Sequence, residues 1–539
     1  MASFIDDLRR NMLPLWRSYE DTARARELDF TGCVALPVRF ERYSMFREAW
    51  RAKHTIMTAA DLINAAVVSG NQQQLDVLAA AEYLLQHKEE SSPIAIDVAR
   101  SIVEFDRPAL PDSLAKEPSF EDLAKELIAG LKTQEDDIKA RIGFLRKQVH
   151  EHCNNPIVYC ELARCYANLG LDEKAKQYMS YAVFLAPNSR YISRSAARFF
   201  VHVGDFDRAK RILIANGRVN SDPWVMAAEI AVESVMERSS RYLKIGRQLV
   251  LSGSVSAFSS SELCFAICNE DKINGKRKDA RKMYEKGIID PNDNSLAQAE
   301  FFAKEDLNIN LDLATYKTLD HKNEADTRKA LSLGDYETAF ISSMKWMQDY
   351  RFEHRPIEFA FGISCDYLKK YDYAIEIVRA FIKSNPKDPA AINNLVYALG
   401  LSNRVEEAEQ ELMKIDIKQY RSGNTNNSIC LLATCGLIEY RKGDIEAGRE
   451  LYNTSITAAK KSSNKEEGKK LAAKARLNMI REEIRAVDDY DENLLNELDD
   501  LNTGSKVETE QLKKDILDEV KKKAEKKEAE KKEGTKQDS

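Results

Sequence analysis

From residue 156 onward one arrangement of apolar, polar and small positions recurs along the chain. A glycine or polar residue opens a short charged stretch, and a small residue stands five positions later. Gly170-Leu-Asp-Glu-Lys-Ala175 is followed by Gly204-Asp-Phe-Asp-Arg-Ala209, then by Gly275 with Ala280 and Gly334-Asp-Tyr-Glu-Thr-Ala339. Lys369 with Ala374 and Asn403 with Ala408 continue the series, and Gly443-Asp-Ile-Glu-Ala-Gly448 closes it with glycine in the alanine slot. The last positions are spaced by 34, 71, 59, 35, 34 and 40 residues. The value 71 is two periods with a weak unit between them, and a fixed period of this size marks a repeat architecture.

Each unit reads as a helix, a tight turn and a second helix. Glycine at the turn takes the left-handed backbone that ends the first helix, and a polar residue after it starts the second. The small residue five positions on lets the two helices cross closely. Proline at the unit boundaries, as at Pro156, Pro187, Pro386 and Pro389, ends one unit and begins the next. The segments near 223–260 and 292–325 depart from the pattern and read as longer or bent helices.

These units resemble the tetratricopeptide repeat. The unit from Pro156 to Ser189 carries Tyr159, Leu162, Ala163, Tyr166, Gly170, Ala175, Met179, Ala182 and Pro187 in the slots where that family has Trp, Leu, Gly, Tyr, Gly, Ala, Phe, Ala and Pro. The unit from Pro389 has Leu395, Leu399, Ala408 and Leu412, and Tyr284 to Pro291 looks like a second helix one residue short. The resemblance covers residues 156–459. It implies an all-α fold, a right-handed α-solenoid in which stacked pairs bury each other's apolar faces. The first helix of each pair would line a concave groove.

The flanks are helical but off the period. Apolar residues recur at helical spacing in 59–68 and from Leu75 to Leu85, Val34 to Phe40 reads as a break, and the prolines from Pro108 to Pro118 read as a linker. Residues 1–118 therefore form a helical N-terminal region, either degenerate repeats or a separate domain, and 119–155 a helical lead-in. After residue 460, Lys465 to Ala486 is a charged amphipathic helix with Leu471, Ala475, Leu477 and Ile480, suited to capping the last repeat. Residues 487–539 are a charged tail, expected to be a solvated helix or disordered.

Composition narrows the function. With 81 Lys plus Arg against 87 Asp plus Glu the formal charge is −6, which argues against a dedicated nucleic-acid binder. The scarcity of Gly (21) and Pro (13) in 539 residues disfavours a turn-rich β fold. No apolar run is long enough to cross a membrane, the opening residues mix acids and bases where an export signal needs an apolar core, and nine cysteines read as reduced thiols. A cytoplasmic protein is expected.

Catalytic motifs are missing. Neither G-x-G-x-x-G nor G-x-x-x-x-G-K-[ST] occurs, nor does H-E-x-x-H. His150 and His152 point to different sides of a helix and lack a CxxC partner. The pairs Cys160/Cys165 and Cys264/Cys268 fit small buried positions, and Asp290-Pro-Asn292-Asp-Asn294 lacks the Gly and Glu of a calcium loop and reads as a helix cap. No enzyme activity, metal or cofactor is expected. The groove offers more. Ile157, Cys160, Arg164 and Asn168 fall on exposed slots of one first helix, and Tyr191, Arg194, Arg198 and His202 on those of the next. Arg164, Arg194 and Arg198 would form a basic patch for a carboxylate, phosphate or acidic peptide. Phe359, Ile363 and Tyr367 would face Asn393 and Tyr397 across an aromatic-lined groove for an extended peptide. Asn394 occupies one slot of the family's clamp for chaperone C-terminal tails, but Phe359, Ile363, Cys430 and Thr434 stand at neighbouring slots, so that clamp is incomplete. The resemblance implies a scaffold or adaptor that holds a partner protein or peptide in its groove, with no membrane or nucleic-acid role. A peptide-responsive sensor and an enzyme with its catalytic part in residues 1–150 are the two alternatives.

Overall fold

All seven turn positions marked by the pattern adopt the backbone that a tight helix-to-helix turn requires. In a computed structural model of the chain, Gly170, Gly204, Gly275, Gly334, Lys369, Asn403 and Gly443 have φ between 56° and 92°. At most of these turns the amide of the next residue donates back across the helix end. Leu171 N–H reaches Tyr166 O at 2.9 Å, Asp205 N–H reaches Phe200 O at 2.8 Å and Arg404 N–H reaches Leu399 O at 2.9 Å. This closes the terminal carbonyls. An eighth turn has the same geometry at Glu237, φ 57°, with Arg238 N–H donating to Glu233 O at 2.9 Å. It lies in the gap of two periods. The segment near 223–260 is therefore a pair of helices joined by a non-glycine turn and a longer connection, with the second helix starting only at Leu243, not one longer or bent helix.

The structure describes residues 12–24, 27–28, 38–69, 74–105, 119–303, 311–316, 319, 321–350, 353–384, 388–415 and 425–537. Among them there is no β-strand. A short helix α1 spans Tyr19–Arg24. Next come four helices, α2 (Val38–Ala52), α3 (Ile56–Ser69), α4 (Leu75–Gln86) and α5 (Pro93–Phe105), each packed on its successor around Trp50, Leu62, Ile63, Val77, Leu84 and Ile102. Residues 29–119 make a unit of their own, whereas residues 1–28 group with 120–539. The boundary inside the N-terminal region thus falls at residue 28 as well as near 119. Val38 to Phe40 begin α2 rather than an extended break, and the proline linker at 108–118 lies outside the described residues.

The second unit opens with α6 (Phe120–Glu151), a 32-residue helix. Pairs then succeed one another: α7 (Pro156–Asn168) with α8 (Asp172–Leu185), α9 (Arg190–His202) with α10 (Phe206–Ala215), α11 (Pro223–Val235) with α12 (Leu243–Ser252), and α13 (Ala257–Ile273) with α14 (Arg277–Gly287). After α15 (Asp293–Phe302) the described residues hold one 3-10 turn, Leu313–Tyr316, before the pairs resume. These are α16 (Asn323–Leu333) with α17 (Tyr336–Asp349), α18 (His354–Gly362) with α19 (Tyr371–Ser384), α20 (Pro389–Leu401) with α21 (Val405–Leu412), and α22 (Asn426–Lys442) with α23 (Ile445–Lys460). Helix starts obey the sequence rules: Pro156, Pro223 and Pro389 stand in the first turn, and the Asn155, Asp222 and Asp388 side chains accept from the amide two residues on.

The small-residue slot does what its size allows. Ala175, Ala209, Ala339, Ala374 and Ala408 are fully buried at the helix crossings. Gly448 replaces alanine where a Cβ would come within 2.5 Å of the Tyr440 ring and 3.1 Å of the Gly436 carbonyl. Helix α18 runs into a π-turn at Ile363–Tyr367, so the closing bond there is Lys370 N–H to Ser364 O at 2.8 Å, one residue longer than at the other turns.

Helix α24 (Lys465–Ala486) lies against both α22 and α23. The expected solvated tail differs in its first half. Helix α25 (Lys506–Gln537) folds back on α24, burying Leu512 and Ile516 against Leu477, Ile480 and Ile484. Ion pairs from Lys474 to Glu508 and from Lys369 to Asp515 fix it in place.

The turns give a direct test. A Cβ on Gly204 meets nothing within 4 Å, so Gly204→Ala isolates the cost of the left-handed backbone and is expected to lose about 1–2 kcal/mol in urea unfolding. Glu237→Gly relieves the same strain and is expected to gain up to about 1 kcal/mol.

Candidate functional site

In a helix-pair array the first helices pack side by side on one face, and here α7, α9, α11, α13 and α15 do so in order. An open groove would leave one stripe of each in water. Instead these helices are buried almost along their whole length, from Tyr191 to Val201 in α9 and from Pro223 to Ser234 in α11. The cover is the chain's own N-terminal segment. Residues 14–18 have no regular secondary structure and lead into α1, and Met12, Leu13, Trp16, Arg17, Tyr19, Thr22 and Glu27 are all buried.

The segment is held at points on three first helices, α7, α9 and α15. The Trp16 ring meets Phe199 of α9 edge-on at 5.7 Å, and the Tyr19 ring meets Tyr191 at 5.3 Å. The Tyr19 amide donates to Glu161 of α7 at 3.0 Å, and the Tyr191 hydroxyl lies 2.8 Å from that carboxylate and 3.2 Å from the Arg17 carbonyl. Arg17 is ion-paired with Asp293 at the start of α15, donates to the Tyr350 hydroxyl and reaches Glu27 at 3.3 Å. Asn292 caps α15 by accepting from Ser295 N–H at 2.8 Å, and its amide nitrogen donates at 2.9 Å to both Glu27 and Glu262 of α13. The helix-cap reading of this stretch holds, with an added task. Asn294 also reaches the Leu13 carbonyl at 3.4 Å.

The charges in this cluster do not balance. Arg17 and Arg194 face Glu27, Glu262 and Asp293. Burial raises the Asp293 carboxyl and Glu27 raises it further, against the pull of Arg17, so that it is pushed up to about 6. Two carboxylates compete for one guanidinium, and the loser is better off protonated. His321 is raised by its bond to Asp349, 3.1 Å away.

This occupant overturns the expected exposure of the basic patch. Arg194 is 4% exposed and Arg198 7%. Arg194 pairs with Glu262 at 2.6 Å, approaches Glu27 at 3.7 Å and lies over the Trp224 ring at 4.8 Å. Arg198 pairs with Glu353, just before α18, and Arg164, partly buried, pairs with Glu161 at 2.9 Å. Each guanidinium is committed to a carboxylate of the same chain. Cys160, Asn168 and Tyr191 are buried too.

The aromatic groove is also filled. Phe359 packs on Trp346 of α17 at 5.7 Å and under Arg328 at 5.3 Å. The extra residue of the π-turn rotates the end of the helix, and Tyr367 stacks on Tyr336 at 4.5 Å instead of facing α20. Tyr397 is covered by α24, with its hydroxyl 3.3 Å from Asn478, and the Asn393 carbonyl oxygen is buried without a hydrogen bond. The residues named from sequence are thus on the inner side but not open to solvent.

Sequence reasoning missed the occupant, its acceptors Glu161 and Asp293, and the donation from Asn292 to Glu27. A signal was present: carboxylates at inner slots of successive first helices, and a Trp-Arg-x-Tyr stretch near the start of the chain. An opening of about 250 Å³ remains beside the inner face, between α6, the α7–α8 turn and α17 to α19, lined by Leu131, Ile138, Leu171, Met347, Ile357 and Phe381. The buried Asn168 carbonyl oxygen at this cleft has no partner. Of the cysteine pairs, Cys160 and Cys264 are buried and burial pushes both thiols up to about 12, leaving them as packing residues. His150, His152 and Cys153 are exposed. Among the described residues no group of three or more His, Cys, Asp or Glu is placed to hold a metal, and no helix is long and apolar enough to cross a membrane.

No protein-family model and no curated protein sequence matches the chain. Solved helical structures do. Yeast Tom70 is 15% identical, with 75% of this chain and 97% of that chain covered and a TM-score of 0.31. The human IFIT1 dimer with m7Gppp-AAAA is 14% identical over 85% and 100%, with a TM-score of 0.32. Naa15/Naa10 bound to HypK-THB is 13% identical over 90% and 80%, with a TM-score of 0.23. The fold assignment rests on the register of turns and small residues described above. The described residues form a helical repeat array whose helix pairs resemble the tetratricopeptide repeat. That array carries an inner face already occupied by polypeptide.

Asp293 gives a pH test. Its folded value is raised, so its contribution to stability is present in full below the ordinary value near 3.8 and is lost as pH rises through about 6. Asp293→Asn imitates the protonated acid. It is expected to melt higher than the parent well above pH 6, with the difference closing as pH falls toward 4; thermal unfolding across that range measures it.

Proposed function

We propose that the chain is a non-catalytic scaffold or adaptor that binds an extended segment of a partner protein along the inner face of its repeat array. One observation carries this reading: that face holds a stretch of the chain's own polypeptide, residues 12–24 and 27–28, through aromatic stacking, a guanidinium on buried carboxylates and a backbone amide on Glu161. These are the contacts by which a groove recognises a peptide. Arg164 and Arg194 serve the site by fixing Glu161 and Glu262, and Arg198 by tying α9 to Glu353. Phe359, Tyr367, Asn393 and Tyr397 shape the second half of the face beneath α24 and α25. A carboxylate-rich strip repels phosphodiesters, which favours a protein partner in the cytoplasm over a nucleic acid.

The cleft beside α7 is where a partner chain gains access. A photo-crosslinking residue at Leu171, which is exposed on its rim, is expected to capture a polypeptide in the native cell, whereas one at the exposed Ile289 is expected to capture none. The absence of any polypeptide adduct from position 171 would overturn the reading.

A further inference from the structure

The first helices carry six buried acids: Glu229, Glu233 and Glu300 are met by Ser240, Lys210 and Lys329 of the array, whereas Glu161, Glu262 and Asp293 form a strip at the N-terminal segment. Arrays of this kind cannot leave such a strip empty and dry, because an unpaired buried carboxylate is costly whereas a matched one roughly breaks even. The segment 12–28 supplies the match at Glu161 and Asp293, and Arg194 and Asn292 of the array supply it at Glu262. The segment does so without joining the array's secondary structure, through the Trp16 ring, the Arg17 guanidinium, the Tyr19 ring and amide and the Glu27 carboxylate. Every one of these contacts is available to a separate peptide. The segment leads into residues 29–119, which have their own core, so its release requires no unfolding of the repeat pairs or of that unit.

We infer that the inner face is a site for a partner segment of basic and aromatic character, an aromatic residue followed directly by arginine with a second aromatic two positions later, and that Trp16-Arg17-Ser18-Tyr19 occupies it as a competing ligand in cis. This rests on the scaffold reading and adds to it the chemistry of the partner and the reason the free chain is closed. A tethered ligand acts at an effective concentration in the millimolar range. A partner segment with micromolar intrinsic affinity then binds the closed chain about 10³-fold more weakly than the open one. Cis and trans segments exchange like for like, so the acids are never left bare at equilibrium. The docking free energy of the segment also caps what a change within it can cost: beyond that limit the segment lets go.

The test is fluorescence anisotropy with a labelled synthetic peptide of residues 12–28, titrated with three full-length proteins: the parent, the Trp16→Ala/Arg17→Ala variant, and the parent cut at a protease site placed between residues 29 and 37. The parent is expected to bind the peptide barely. The double variant is expected to keep its helical circular dichroism and to bind at least about 10²-fold more tightly, and the cut protein to exchange its own segment for the labelled one. A peptide carrying alanine in place of Arg17 is expected to lose that gain. A folded double variant that ignores the peptide, or one that unfolds while the cut protein fails to exchange, overturns the inference and makes the segment permanent core. If crosslinking from Leu171 still captures a polypeptide in that case, the scaffold reading stands without it. If neither occurs, both fall.

Discussion

The buried carboxylates on the inner face of the first helices set the terms for this half of the molecule. Glu161, Glu262 and Asp293 stand on three different helices, and none can lie in a dry interior without a cation or several donors. The array meets part of the need itself, through Arg164 and Arg194. The remainder comes from Arg17, which is 276 residues from Asp293 in sequence. Arg17 thus ties the start of the chain to Asp293 on the array, while Glu27 of the same segment adds a carboxylate of its own. Burial first, and the nearby Glu27 second, hold the Asp293 carboxyl raised against the pull of Arg17.

The same logic runs at the other end. Inner positions of the later pairs are covered by α24 and α25, with Lys474 buried beside Glu508 and Tyr397 under Asn478. Both ends of the chain thus serve as cover for a surface that repeat folding produces and cannot itself close. The two covers differ in kind. Helix α24 comes directly after α23 and packs against it and α22 as the next helix of the stack would. The N-terminal segment, irregular at 14–18 and then a single short helix, is remote in sequence, and most of its hold is on side chains. A cover of the second kind is easier to exchange, because polar and ionic contacts return little net stability once desolvation is counted.

Legibility in the sequence tracked the range of the interaction. The repeat could be read because its determinants are local. A left-handed turn residue and a small residue five positions on fix how two consecutive helices meet, and this let even Lys369 and Asn403 be placed at turns. Glu237 escaped because the turn tolerates a non-glycine at a cost of about 1–2 kcal/mol, and a pattern built on glycine does not see it. The π-turn at Ile363–Tyr367 shifted the register by one residue, so an aromatic spacing that was right in number pointed Tyr367 at the wrong neighbour.

Sequence alone determined the all-helical class, the phase of the pairs and the helices that line the inner face, because these depend on backbone geometry and side-chain size within a few tens of residues. It placed Arg164, Arg194 and Arg198 on the inner face for the same reason. Only the tertiary structure decided whether that face is open. Its occupant comes from residues 12–28 and its partners from α7, α9 and α15, and no local spacing encodes a pairing across hundreds of residues. An arginine that reads as solvent-facing on one helix becomes a buried ion pair when a distant carboxylate is brought beside it.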